Sequence, residues 1–567
     1  MMVDEKMAPM HAEEKAIEES VENDQRLDRI DTVDIDNYHG IDIKTVLVYV
    51  ALCINYFIQL FEVVGVGSLS RNIGAAVGGS NQTVWLSQVV VIFTTVLGPP
   101  ASQAADYFGR KWILVIGSVF GLVGALIFSR ANTMGQAIGG QSVSSIQFMS
   151  QCLLTAVASE IWPRKYRPAA QGGLNAAGAA GAIAGLLIGP ALTTDHLFGW
   201  RVYWYIVAGL LGISALLIVT LYNPPPRPLQ KSLSTREKLS RLDWTGYFLL
   251  CIGLVLFTMG LSWGLNPYPW SSAYVLAPLL VGACFFVALI VHQTFFKKDG
   301  LLHHDLFKKD RNFAVALGCL FVDGIVFWAA NSYFAFQVSV LYESKPILIG
   351  LHFCIAFFAG LAFVMVIPLL TKFTKRLREP IVVAFLNFTI FFALMATTKL
   401  SSAAAVWVYP IFLGWGLTWS LTYIVTAAQL SAPPHLIAIS SGIILSGRSF
   451  GGSVGLAIFT AIFNSKISHL GSNIAAAVLP LGFPPSELPG FIGALAGNDQ
   501  AALAKIPGVT PQIIGAGVHA LQTSYLSSFR GVWIAAAVIA GATVFACCTI
   551  INPKNDLNNH VDAPLEE

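Results

Sequence analysis

Ser102-Gln-Ala-Ala-Asp106-Tyr-Phe-Gly109-Arg110-Lys111 closes the second of about fourteen long apolar stretches and opens onto a basic loop. A carboxylate and two cations around a glycine, placed where a membrane-length helix ends, have the chemistry of a gate. Asp106 can accept from helix-end amides or from arginines of a neighbouring bundle. Gly109 permits a turn that a Cβ would block, and Arg110 and Lys111 can anchor at anionic headgroups. Such a charged latch can break and reform as helices move.

The rest of the chain supplies the membrane. Its 567 residues are 55% hydrophobic and 11% charged, with a mean hydropathy of +0.66, too apolar for a soluble fold. The reading is an all-α polytopic membrane protein. Residues 1–43 carry Glu13, Glu14, Glu18, Glu19, Asp31, Asp34 and Asp36 and read as a disordered, acidic, cytosolic tail. No charged leader followed by a short apolar run precedes the first span, which is expected to direct insertion itself. All eight cysteines fall inside apolar spans, so no structural disulfide is expected.

Stretches of about twenty apolar residues place spans at 45–66, 84–105, 112–131, 134–159, 169–192 and 202–221, then a pair at 244–264 and 273–295, then 313–338, 347–370, 381–397, 404–430, 436–463 and 531–551. Six, two and six suggest a duplicated six-helix unit with an inserted pair, the construction of a rocking two-bundle transporter. The expected domains are an N-terminal bundle over 44–223, loops and the inserted helices over 224–311, and a C-terminal bundle over 312–552. A short cytosolic tail follows over 553–567. Within the second bundle, 464–530 is broken by six prolines and reads as an external excursion. Lys and Arg crowd alternate loops, which places both termini in the cytosol. One opposite loop holds the glycosylation sequon Asn81-Gln-Thr83.

A charge at a helix centre costs roughly 2.5 to 3.5 kcal/mol on insertion scales, so the few inside these spans ask for a reason. Glu62 lies late in the first span, Asp323 midway along the ninth and Arg448 midway along the thirteenth. A carboxylate in apolar surroundings can bind a proton on one side and release it on the other, and Glu62 is the first candidate for that role, with Asp323 second. Arg448 cannot titrate; it can attract an anion, influence a carboxylate, or pin two helices. Gly181, Gly185 and Gly189, spaced by four and followed by Pro190, form a strip suited to close helix approach or to a hinge. Trp328, Asn331, Tyr333, Trp415, Trp419 and Tyr423 are candidates for lining a substrate cavity. Phosphate-cradling loops, metal-spaced Cys or His clusters and a nucleophile with its base are missing from the sequence, so no cofactor, metal or enzymatic activity is expected.

The chain resembles the major facilitator superfamily, specifically fourteen-span fungal transporters of the trichothecene efflux pump family and the related siderophore transporters. The resemblance covers roughly residues 44–553. It is carried by Gly98-Pro-Pro-Ala followed by the gate segment, by Ala156-Val-Ala-Ser-Glu160-Ile-Trp-Pro-Arg164-Lys-Tyr-Arg-Pro-Ala-Ala-Gln171, by Leu242-Asp-Trp-Thr-Gly246, by Tyr268-Pro-Trp-Ser-Ser272, and by Gly447-Arg-Ser-Phe-Gly-Gly-Ser-Val-Gly455. It implies two six-helix bundles working by alternating access. Asp106, Gly109, Arg110 and Lys111 then match the cytosolic gating motif, with Ser102 in place of its first glycine, and Glu160 and Arg164 join the gate. Glu62 matches a first-span coupling carboxylate. Gly185 through Pro190 match the antiporter motif without its trailing glycines, and Gln141 stands where many proton antiporters place an arginine.

The expected function is proton-coupled efflux of a bulky, largely apolar small molecule, such as a fungal secondary metabolite, toxin or drug. Proton-coupled uptake of ferric siderophores is the alternative, and a non-transporting sensor the third reading. The expected partners are that small molecule, protons and the bilayer, with no nucleic acid and a monomeric transporter. The plasma membrane is the expected location and a vacuolar or vesicle membrane the alternative.

Overall fold

The computed structural model describes residues 42–562 except 80–81, 195, 197, 226–229, 231–233, 265–267, 298–299, 302, 344, 497–502, 504 and 555. The acidic tail over 1–41 and the sequon residue Asn81 therefore lie outside the described residues.

The first half of the protein comprises α1 (Ile43–Val77), α2 (Val84–Phe108), α3 (Arg110–Ser129), α4 (Met134–Ser144), α5 (Gln151–Ile161), α6 (Arg167–Thr193) and α7 (Gly199–Leu221). A short surface helix, α8 (Thr235–Arg241), leads to the inserted pair α9 (Trp244–Trp263) and α10 (Ala273–Val291). The second half holds α11 (Asn312–Leu341), α12 (Pro346–Val364), α13 (Ile367–Thr374), α14 (Arg378–Ala396), α15 (Pro410–Ser431) and α16 (Ile437–Ile467). After it come α17 (Leu470–Val478), α18 (Leu488–Ala496) and α19 (Pro511–Cys547). Thirteen helices among the described residues are long and apolar enough to cross a bilayer. The fourth expected span is the exception. It is cut into α4 and α5 by a 3-10 segment, Ser145–Ser150, whose polar side chains turn inward.

Three expected boundaries change. The first span runs on to Val77 and stops only at Gly78, with φ of 78°, because the polar residues that end its apolar run still form good helix. Glu62 is thus well inside α1 rather than close to its end. The last span begins at Pro511, long before the apolar run at 531. The excursion over 464–530 is also built rather than irregular: α17, α18 and the start of α19 close around Ile474, Val478, Phe483, Phe491 and Ile513.

Glycine decides which helices touch. Helix α6 lies along α1, and a Cβ at Gly181 would strike the carbonyl oxygen of Phe57, while one at Gly185 would sit 3.0 Å from that of Phe61. The second half repeats this contact. There α16 lies along α11, with Gly324 against the backbone of Arg448, Gly451 against Phe321 and Gly455 against Ile325. In each half the first helix packs on the fifth. Contacts between the halves obey the same symmetry, since α2 meets α16 and α12 meets α6, again through small residues. Gly442 faces Ser102, and Gly350 faces the carbonyl of Leu186.

Gly109 joins α2 directly to α3 with φ of 92°, a conformation that a side chain would strain. The inserted pair lies at the periphery, packed on itself through Gly253, Gly260 and Gly282. Asp243 caps α9 by accepting from the Gly246 amide at 2.9 Å. Burial pushes its carboxyl up, but hydrogen bonds from Gln293, Gly246 and His292 outweigh this and hold it below the usual carboxylate range.

Replacing Gly324 with Val should displace α16 and cost on the order of 1–3 kcal/mol through overpacking, read as a lower thermal midpoint in detergent. Gly139→Ala should leave that midpoint in place, because nothing lies within 4 Å of the added Cβ.

Candidate functional site

Glu62 is fully buried. Its Oε1 accepts from Gln141 Nε2 and from Ser144 Oγ, each at 2.8 Å, and its Oε2 accepts from Gln147 Nε2. The fourth span makes this cage: Gln141 and Ser144 share a face of α4 by their spacing, and the tighter 3-10 winding of Ser145–Ser150 brings Gln147 into line with Ser144. All three donors are neutral. The amide oxygens of Gln141 and Gln147 are buried and find no hydrogen-bond partner among the described residues. Rotating either amide would offer Glu62 an acceptor in place of a donor, so the cage can serve the carboxylate and the carboxylic acid alike.

The cage continues along α1. Gln59 Nε2 donates to Asn55 Oδ1 at 3.0 Å and to Ser150 Oγ at 2.9 Å, and Asn55 Nδ2 donates to Ser118 and Ser214. Asn55, Gln59 and Glu62 share a helix face by their spacing. This polar stripe was not singled out from the sequence, although the spacing of three polar residues in an apolar helix carried the signal.

Asp323 is also fully buried, but it faces a cation. Its Oδ2 is 2.6 Å from Arg448 Nε, and its Oδ1 accepts from Ser420 Oγ at 2.5 Å. The Arg448 guanidinium lies 4.9 Å from the centre of the Phe327 ring. The two halves therefore share a plan: the first helix carries a buried carboxylate, and the fourth donates a hydrogen bond to it.

Between the halves lies a cavity of about 110 Å³, walled by Tyr56, Asn175, Trp328, Thr418 and Arg448 together with many apolar side chains. Of the aromatic candidates, Trp328 lines it. Asn331, Tyr333, Trp415, Trp419 and Tyr423 do not belong to its lining. Tyr333 is bonded to Thr460 and Tyr423 lies near Thr371, while Trp415 stacks on Phe363 and Trp419 donates to the Phe363 carbonyl. Aromatic residues on an inner helix face pack against neighbouring helices as readily as they face a cavity, and composition cannot separate the two.

At the end of the bundle carrying the gate segment, Arg110 is ion-paired with Glu160 at the end of α5 and lies 3.6 Å from Asp106. All three are buried. Arg110 is thus a buried linker of α2, α3 and α5, not a headgroup anchor, and the Asp106 pair lies within one half. Lys111 donates to the Val219 carbonyl at 2.7 Å and to Asn223 at 2.5 Å, fastening α3 to the end of α7. The halves meet here through Ser159 and Gln429, and at the cavity through Asn175 and Thr422. Arg164 points to Asp562. Gly185 and Gly189 pack against Phe61 and Leu69 of α1, next to the Glu62 cage, and Pro190 sits inside α6.

The profile of the fungal trichothecene efflux pump family matches residues 14–566. The chain is 26% identical over 437 residues to the MFS-type transporter ucsD of Acremonium sp, covering 73% of this chain and 70% of that one. It is 22% identical over 534 residues to the trichothecene efflux pump TRI12 of Fusarium sporotrichioides, covering 92% and 88%. Among solved structures, the proton:xylose symporter XylE, of the major facilitator superfamily, is similar with a TM-score of 0.54 at 11% identity, covering 76% of this chain and 91% of that one. The human organic anion transporter MFSD10 is similar with a TM-score of 0.54 at 10% identity, covering 89% and 99%. These structures show a shared fold.

Glu160→Gln removes the nearer of the two carboxylates that Arg110 faces in a buried setting and leaves Asp106 at 3.6 Å, so the loss should stay below the roughly 3–5 kcal/mol of a fully unpaired buried charge. The variant should give less monodisperse protein and a lower thermal midpoint than Lys111→Gln, which loses a more exposed contact.

Proposed function

Because this chain belongs to the fungal trichothecene efflux pump family, we propose that it exports a bulky, largely apolar small molecule by alternating access, driven by protons that pass through Glu62. The observation that carries this reading is the difference between the two buried carboxylates. Asp323 is balanced by Arg448. Glu62 meets neutral dipoles that can serve either protonation state. A group of this kind can accept a proton from one side and release it to the other as the helices around it change exposure.

The efflux-pump names of the family and of one relative support the outward direction. The cavity supports an apolar cargo with a few polar groups, since Tyr56, Asn175, Thr418 and Arg448 stand among aliphatic and aromatic walls. At about 110 Å³ it is smaller than the roughly 300–1,000 Å³ of ordinary small-molecule pockets. A bulky cargo therefore enters only when the halves separate, and the closed packing of α2 on α16 and of α12 on α6 is the state between loadings. Asp323 and Arg448 hold the first and fifth helices of the second half together beside the cargo. The gate residues Asp106, Gly109, Arg110, Lys111, Glu160 and Arg164 form the cytosolic end of the first half, Gly185 through Pro190 give α6 its smooth contact with α1, and the protein resides in the plasma membrane.

A fungal strain lacking this protein should become sensitive to its own secreted metabolites, and the intact gene should restore resistance. Glu62→Gln should fail to restore it at equal protein level in the membrane. Resistance equal to that of the unmutated protein would remove Glu62 from the mechanism.

A further inference from the structure

We propose that the last described residues form a latch across the seam between the two halves, and that Asp562 is the positioning residue that sets how readily the gate end opens. The inference goes beyond the direction and energy source of transport and rests only on the two-bundle fold.

The tail is first fixed to the second half. Ile551 exchanges hydrogen bonds with Asn312, at 2.8 and 2.9 Å. Asn552 Oδ1 accepts from the backbone amides of Leu377 and Arg378, each at 2.8 Å, and its Nδ2 donates to Glu379 at 3.1 Å. Asp556 pairs with Lys309 at 3.1 Å, and Leu557 is buried.

The chain then crosses to the first half. The Lys165 amide donates to the Asn558 carbonyl at 2.8 Å and the Arg164 amide to the His560 carbonyl at 2.9 Å, so the tail accepts from consecutive amides at the start of the 3-10 turn Arg164–Tyr166. Asp562 ends the crossing inside a clamp of two arginines. Arg164 donates to it from Nε at 3.2 Å and from Nη2 at 2.6 Å, and Arg167 contacts it through Nη2. The side chains of Asp562 and Arg167 are each 2% exposed, so this is a desolvated charge cluster rather than a surface pair. His560 Nε2 stands 3.7 Å from the same carboxylate.

The clamp sits where the halves meet. Arg167 Nε donates to the Ser159 carbonyl at 2.9 Å, and the Ser159 hydroxyl contacts Gln429 across the seam. Chain between Asn552 and Asn558 spans at most about 20 Å at full extension, and Asp556 within it is pinned to Lys309. Parting the halves at this end must therefore loosen the tail from one side or the other. Removing the carboxylate takes away the side-chain hold of Asp562 on the two arginines, leaving the Asn558 and His560 backbone contacts, and so lowers the work of opening.

The test is pulsed electron spin resonance on the full-length protein, with the exposed Cys284 and Cys548 replaced by Ser. Spin labels are placed at Trp112→Cys on the first half and Phe373→Cys on the second, positions 57% and 78% exposed. The otherwise unmutated protein should show mainly the shorter distance. Asp562→Asn should raise the long-distance fraction several-fold, and Asp562→Glu should return it towards the starting value, a rescue that a loss of folding would not give. Should Asp562→Asn fail to fold, Arg164→Gln decides, because its side chain is 22% exposed and its loss should shift the distances in the same direction. Unchanged distance distributions in Asp562→Asn, or in Arg164→Gln where that variant decides, would overturn the proposal. So would an Asp562→Glu protein indistinguishable from Asp562→Asn.

Discussion

A carboxylate buried among membrane helices must be met by a cation, by hydrogen-bond donors or by a proton, and this protein uses different answers on the first helix of each half. In the first half, Glu62 is surrounded by two glutamine amides and a serine hydroxyl. In the second, Asp323 is held by the Arg448 guanidinium and a serine hydroxyl. The surrounding structure follows from these two demands. Helix four is broken so that its donors reach Glu62, and helix five is lined with glycine so that it can lie against helix one close to the charge. Neutral donors leave a charge that a proton can cancel, whereas a guanidinium leaves a pair that stays balanced.

The same small-residue packing that stabilises each half also makes the seam between them separable. Contacts of α2 with α16 and of α12 with α6 are made largely by glycine, serine and aliphatic side chains, surfaces that slide or part without leaving buried charges behind. Among the described residues, a group of ion pairs near the seam gathers at the gate end. Those of Arg110 with Glu160 and Asp106 tie helices within one half. They stiffen a bundle that moves as a unit, and the Asp562 clamp is a charged tie that crosses the seam.

The architecture was readable because bilayer thickness imposes a length on every apolar run, so span order, duplication and the mid-span charges Glu62, Asp323 and Arg448 could be taken from the chain. Several features followed other rules. Helix α1 continues beyond its apolar run because its polar end still satisfies its backbone, which moved Glu62 from the margin to the interior. The break between α4 and α5 lies inside a run apolar enough to read as one helix, and Ser144 and Gln147 carried no mark of their target. The fold of 464–530 depends on a small core assembled from distant residues. For the cavity, side-chain type foretold Trp328 but not its neighbours, because lining depends on rotation about each helix axis. The docking of Asp562 on Arg164 and Arg167 joins segments almost four hundred residues apart, beyond the reach of any local pattern.

Infrared difference spectroscopy of the purified protein in lipid, recorded on stepping from alkaline to acidic buffer, tests the central claim without a cargo. The account predicts a carboxylic-acid carbonyl band from a buried group that appears on acidification, vanishes in Glu62→Gln and persists in Asp323→Asn. A band that survives Glu62→Gln unchanged, or that disappears only in Asp323→Asn, would contradict it.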